Sequence, residues 1–168
     1  ELLQKVRADA ELGKTPFIMV TSQASIERIK LRQAIEAEVD HYLLKPVRMK
    51  DLQDKIAQVL ERAKIDVEIT AESARGAEAL EKGQFREAEQ AFRRVLKLSS
   101  SNAAGYYGLA RLQLARSPDK GIESAVQYLR KGAEANPFSE DCHLLLARIF
   151  EESRSLEKAV LALEEGVK

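Results

Sequence analysis

The sequence has no tryptophan, one cysteine, two histidines and four prolines in 168 residues, and aromatics make up only 5% of it. It has no net charge either, because 27 basic side chains are matched by 27 acidic ones. Each shortage removes a class of function. A lone thiol, Cys142, cannot close an internal disulfide, which points to a reducing compartment and a cytoplasmic location. That cysteine and two distant histidines, His41 and His143, do not compose a structural zinc site. Zero net charge argues against a general electrostatic hold on nucleic acid or on an anionic membrane. The balance is also local. Residues 1–64 carry 12 basic and 10 acidic side chains and residues 65–168 carry 15 and 17, so no basic arm or acidic tail hides in the total. Apolar runs such as Phe17–Val20 and Leu144–Ala147 are far too short to span a bilayer. Glu1 is not followed by a basic start and an apolar block, so no signal peptide is expected. The chain begins without Met, in what reads as the middle of a helix, and is expected to be a fragment of a longer protein. No Gly-rich phosphate loop or Ser–His–Asp pattern is present.

What is present is enough apolar material, 45%, for a core, and a length suited to one large or two small domains. The two ends differ in pattern. In residues 1–64, Leu2, Leu3 and Val6 form a helical stripe that stops before Gly13 and Pro16. Phe17–Val20 is a continuous apolar run that reads as a strand buried on both faces. Ser22 or Ser25 can cap a following helix with Ile26, Ile29 and Ile35 inward. His41–Leu44 is a second strand, halted at Lys45-Pro46. A third helix, about Arg48–Lys64, turns Met49, Leu52, Ile56, Val59 and Leu60 inward. Alternation of helix and strand predicts a parallel α/β arrangement.

Residues 65–168 show no comparable strand and read as helical hairpins that repeat. Ala88 and Phe92 recur as Ala125 and Leu129, 37 residues on, and as Ala159 and Leu163, 34 residues further. Val95, Gly132 and Gly166 keep the same offset, and Gly76, Ala110 and Ala147 precede them upstream. The three extra residues fit the turn around Ser117–Gly121, where a hairpin tip tolerates insertion. The recurring small residues let two helices approach closely. Phe92, Leu129 and Leu163 are expected to fill the gap to the next unit, so that stacking makes the core.

These repeats resemble the tetratricopeptide repeat (TPR), through Gly76, Gly83, Phe85, Ala88 and Phe92 in residues 69–102. Tyr106, Leu109, Ala125 and Pro137 carry it in 103–139, and Leu146, Phe150, Ala159 and Leu163 in 140–168. The resemblance implies an α-helical solenoid whose first helices line a concave groove. At the family's groove positions stand Ser73, Ala77, Tyr107, Arg111, Leu144 and Arg148. Tyr107 with Arg111 and Arg148 suits an acidic or aromatic-bearing peptide, against the plainer reading of a solvated helix face.

Residues 1–64 resemble the carboxy-terminal part of a response-regulator receiver (CheY-like) domain. The matching stretches are Glu1–Leu3 with Val6–Asp9, Pro16–Thr21, and Tyr42–Pro46. That family has a flavodoxin-like, doubly wound sheet. The resemblance implies an incomplete fragment of two parallel strands and three helices, ahead of a mainly α remainder. It also implies roles for four residues. Thr21 would offer a hydroxyl to a phosphoryl group, Lys45 an ammonium to the same anion, Pro46 would follow a cis bond, and Tyr42 would be the aromatic that tracks activation. The family's phosphoacceptor Asp and acidic metal-binding pair lie on strands that would precede Glu1, and Asp9 and Asp40 fall on the wrong segments to replace them. No cofactor is therefore expected for this chain, and Mg2+ only for an intact receiver domain.

The functional expectation is a non-enzymatic two-component adaptor, in which a receiver domain regulates a repeat array that binds a protein or peptide. A histidine kinase would be a partner of the intact protein, with no nucleic acid and no membrane involved. The alternative is a constitutive scaffold that self-associates through the Phe17–Val20 edge or the uncapped last repeat. Glu36, Glu38 and Asp40, or Glu164 and Glu165, lie on charged faces or turns and are read as solvated rather than catalytic. His41, His143 and Cys142 are read as packing or surface groups.

Overall fold

The computed structural model describes residues 2–9, 12, 13, 15–22, 41–153 and 156–167. The helix expected over Ser25, Ile26, Ile29 and Ile35, and the carboxylates Glu36, Glu38 and Asp40, lie outside these residues. The chain divides into two compact units, 1–66 and 67–168.

In the first unit, helix α1 (Leu2–Ala8) leads to strand β1 (Ile18–Thr21), and strand β2 (His41–Leu44) leads to helix α2 (Met49–Glu81). The connection from α1 to β1 is tied down locally. Asp9 accepts from the Leu12 amide at 2.9 Å, and Arg7 donates to the carbonyls of Gly13 and Thr15 at 2.9 and 2.7 Å. The strands are parallel, with Ile18 opposite His41 and Thr21 opposite Leu44. One further bond, from the Lys45 amide to the Thr21 carbonyl at 2.8 Å, extends the ladder, and the Lys45–Pro46 bond is cis.

Two expectations for this unit are corrected. The run at β1 is not buried on both faces: Val20 is 42% exposed, and Leu44 on β2 is exposed too. An apolar strand is covered on both sides only where layers lie on both, and the described sheet has two strands. The same shortage shows on α2. Val59 is buried and Leu52 half-buried, but Met49, Ile56 and Leu60 are exposed. Nor does the helix stop near Lys64. It is one element of 33 residues, because nothing from Met49 to Arg75 is Gly or Pro and the i→i−4 ladder meets no breaker.

The second unit is three helical hairpins. The carboxyl-terminal part of α2 pairs with α3 (Phe85–Leu98), α4 (Ala103–Arg116) with α5 (Ile122–Ala135), and α6 (Glu140–Glu152) with α7 (Leu156–Val167). Gly83 ends α2 at φ +71°, a left-handed conformation that suits a residue without Cβ. Its amide bonds to the Leu80 carbonyl at 3.1 Å and the Gln84 amide to that of Ala79 at 2.8 Å, the paired bonds of a Schellman stop. Asn102 caps α4 by accepting from the Gly105 amide at 3.2 Å.

Small residues set the stacking. Ala88, Ala110 and Ala125 are fully buried, and Ala147 and Ala159 are buried. Phe92, 3% exposed, sits between the first and second hairpins. A Cβ on Gly76 would lie 2.7 Å from its ring, and one on Gly108 would overlap the ring outright. Leu129 is wholly buried at the corresponding place. Leu163 departs from the expectation that it fills a gap: it is 43% exposed. In the first two units this position is covered by the next hairpin, and among the described residues no helix follows α7. A second equivalence joins the repeats. The Tyr106 hydroxyl donates to the Ser100 carbonyl at 3.1 Å, and at the same register His143 Nε2 meets the Pro137 carbonyl at 3.0 Å.

Candidate functional site

The structure places the residues singled out from the sequence in two separate locations, one in each unit. At the carboxyl ends of β1 and β2, the strand register puts Thr21 opposite Leu44, the residue before Lys45. Thr21 is buried, and its hydroxyl makes only a long 3.5 Å contact with the Ser22 carbonyl, so it is poorly committed. Lys45 is exposed and has no ion-pair partner among the described residues. Pro46 is exposed at the same turn, and the Tyr42 side chain lies outside the described set. A hydroxyl and an ammonium from adjoining strand ends are groups of the kind that suit an anionic oxygen. They do not match a divalent cation, which needs carboxylates. Asp51, the first acid after β2, is held by Arg48 through two bonds of 2.8 and 3.0 Å. Among the described residues no group of three metal-ligating side chains gathers.

In the second unit, Ser73 and Ala77 on α2, Tyr107 and Arg111 on α4, and Leu144 and Arg148 on α6 each stand one helical turn apart. Tyr107 and Arg111 are half-buried and in contact, with the guanidinium carbon 5.7 Å from the ring centroid. Leu144 and Arg148 are exposed. Ser73 and Ala77 are half-buried, and the Ser73 hydroxyl is buried without a hydrogen-bond partner among the described residues. Beside it Glu72 is engaged by Arg94 at 3.1 Å and Arg75 at 3.6 Å.

Arg111 and Arg148 share with Arg86 and Arg130 the lack of an ion pair among the described residues. Arg75, Arg93, Arg94 and Arg116 are each ion-paired, whereas no carboxylate lies within pairing distance of Arg111 or Arg148 among the described residues. Arg148 also lines a recess of about 290 Å³ with Leu114, Pro118 and Leu145. Leu114 and Pro118 were not legible as site residues, although with Tyr107 and Arg111 they continue the same three-and-four spacing. The face thus offers one stacked guanidinium, one unpaired guanidinium and a hollow beside it lined mainly by apolar side chains, with Glu152 and Ser153 also on its wall. His143 and Cys142 are both buried in packing. Burial raises the Cys142 thiol pKa, with a lesser opposing effect from a hydrogen bond with Ser139 and a smaller upward push from Asp141.

The fold and these positions define a receiver-like α/β fragment followed by tetratricopeptide repeats. Residues 73–119 match the family model described as tetratricopeptide repeat. Over 62 residues, 37% of the chain, the sequence is 37% identical to the chemotaxis protein CheY-3 of Vibrio cholerae serotype O1, covering 46% of that protein. A match of the same length to the chemotaxis protein CheY of Pseudomonas aeruginosa is 39% identical and covers 48% of it. The chain spans about half the length of the curated relatives it matches. No helix among the described residues is long and apolar enough to cross a membrane.

Proposed function

We propose that this chain is part of a non-enzymatic signalling adaptor, in which a receiver domain governs the binding of an acidic protein segment by the repeats. The observation that carries the binding half is the pair of unpaired guanidinium groups, Arg111 over Tyr107 and Arg148 beside its hollow. Arginine forks accept carboxylates in a fixed geometry, and a ring beneath one of them keeps it in place. The regulatory half rests on the Thr21–Lys45 end of the strands and on the continuity of α2, which runs from the receiver fragment into the first repeat as one helix. In the intact protein a histidine kinase would supply the phosphoryl group. Magnesium would be held by residues of the complete receiver domain, and Thr21 would be drawn to the new anion. Bound partners would then report a shift between two populations. The single free thiol supports a cytoplasmic setting.

The test uses an acidic peptide library on the chain as it stands. Arg111→Glu with Arg148→Glu should weaken the selected peptides at least tenfold, about 1.4 kcal/mol, and leave the helical signal unchanged. Equal binding by the double variant would remove the groove from the proposal. For the regulatory half, the phosphorylated intact protein must bind differently from the unphosphorylated one.

A second reading has its own support. β1 carries an exposed Val20 on a two-stranded sheet, and such an edge is a template for another chain. On this reading the fragment is an association module. Light scattering should then show a mass that rises with concentration, and Val20→Lys should hold it at the monomer; a constant monomer mass for the unaltered chain would exclude it.

A further inference from the structure

Between α5, α6 and α7 lies a mainly apolar cleft of about 680 Å³, away from the Arg111 and Arg148 positions and lined among others by Ala133, His143, Leu146 and Ala162. The repeat itself says what is missing from it. Shifted back by one unit, Ala133 corresponds to Leu96 and Ala162 to Tyr128. Both of those larger side chains pack onto the buried cluster of the first two hairpins, and Tyr128 touches the next cluster as well. Part of the lining is alike: Leu146 replaces Leu109, and His143 bonds the Pro137 carbonyl where Tyr106 bonds that of Ser100. Phe150 and Leu161, which also line the cleft, stand where the preceding unit has Gln113 and Gln127 and make it more apolar. The cleft is therefore the place where the preceding unit carries an aromatic ring and an isobutyl group of its own.

The rim has changed in the same register. Arg130 corresponds to Arg93, whose pKa is raised chiefly by its hydrogen bond to Glu89 and in a smaller part by the nearby Tyr128. Arg130 has Val126 where Arg93 has Glu89, and no ion pair forms there among the described residues. Lys97 and Lys131 are replaced by Glu134 and Glu165, which both line the cleft. Neither carboxylate has an ion-pair partner among the described residues. One site thus lacks the ring that Tyr128 supplies, keeps an apolar wall that includes Phe150, and gains two unpaired acids.

We infer that this cleft receives the aromatic side chain of a partner peptide, a tyrosine flanked by basic residues. The ring takes the volume that Tyr128 fills one unit earlier, its hydroxyl reaches the Arg130 rim, and the flanking cations meet Glu134 and Glu165. Charge complementarity and continuity with the chain's own stacking interface favour this occupant over a second copy. The inference is independent of the groove reading, since none of these residues is Arg111 or Arg148.

The experiment titrates the isotopically labelled chain with blocked Lys-Tyr-Lys, Lys-Leu-Lys and Glu-Tyr-Glu peptides, following backbone amide signals. Lys-Tyr-Lys should give saturable shifts centred on Ala133, His143 and Ala162, with the other two peptides weaker. Glu134→Lys with Glu165→Lys should lower its affinity on the order of tenfold. Ala162→Tyr restores the ring from within. It should abolish binding, and its unfolding temperature, at or above that of the unaltered chain, shows that it has folded. Shifts centred elsewhere, equal shifts from Lys-Leu-Lys, or undiminished binding by Ala162→Tyr would each overturn the inference. So would a concentration-dependent rise in mass that Ala162→Tyr removes while no peptide binds, which would assign the cleft to a second copy.

Discussion

Replacing Phe92 with alanine is expected to lower the stability of the repeat unit by about 3–5 kcal/mol, the usual cost of deleting a buried aromatic ring. Phe92 is buried between the first and second hairpins in a cluster with Ala79, Leu80, Ala88, Leu109 and Leu112, and Gly76 and Gly108 stand against its ring with no side chain to move into the void. Urea titration of the helical signal measures the loss. A second substitution makes the prediction specific to this packing. Gly108→Ala alone should destabilise, because its methyl overlaps the ring and overpacking costs about 1–3 kcal/mol, more than the roughly 1 kcal/mol that alanine gains over glycine in a helix. In the Phe92→Ala background the overlap is gone and the same change should stabilise. A stabilising effect in both backgrounds would mean that the ring does not lie against Gly108. Such a reversal of sign is the signature of two residues in direct contact.

Cys142 should react with thiol reagents on the order of a thousandfold more slowly in the folded chain than in urea. That ratio corresponds to an opening free energy of about 4 kcal/mol. Its sulfur is fully buried, 3.9 Å from the Ala103 carbonyl, and a Cβ on Gly132 would stand 2.6 Å from it. The thiolate is the reactive form, and burial raises the thiol pKa above its ordinary value of 9.0. The sign of the pH dependence follows. Below that value both states keep the proton and stability is unaffected. Above it the unfolded thiol ionises while the folded one does not, so the unfolded state binds fewer protons and stability falls as pH rises. Denaturation at pH 8 and pH 10 should show this decline, and Cys142→Ala should flatten it. The same decline in the alanine variant would assign it to other groups.

Much of this was legible in the sequence, and the exceptions have physical causes. The alanine register, Ala88, Ala125 and Ala159, could be read because each unit needs the same clearance at the same point. Gly108 could not, because it does not recur. One unit on, the corresponding residue is Leu145, and there the smaller Leu129 stands where Phe92 does, so bulk is traded across the interface. A search for identical residues does not see a compensated pair. The Tyr107–Arg111 contact was legible because it is local, one turn along a helix. The hollow beside Arg148 needed the fold, since α4 and α6 bring its walls together from far apart in the chain. The burial of β1 was overestimated because an apolar run reports what a strand prefers to touch, while its cover depends on layers contributed elsewhere. The run Ile65–Thr70 holds no Gly or Pro, so a stiff junction is legible there; that α2 continues through it as one helix of 33 residues is what the structure adds.

Leu163 at the surface has a consequence for how the molecule comes apart. In a linear stack each hairpin is held by its own folding and by coupling to its neighbours. Among the described residues the hairpin of α6 and α7 is coupled on one side only, chiefly through α5, so it is expected to open at lower cost than the hairpin of α4 and α5. The cleft lies across that weaker seam, with α5 on one side and α6 and α7 on the other. An occupant seated there would act as a latch, and its binding energy would appear as slower opening of one hairpin rather than as a stiffer molecule throughout.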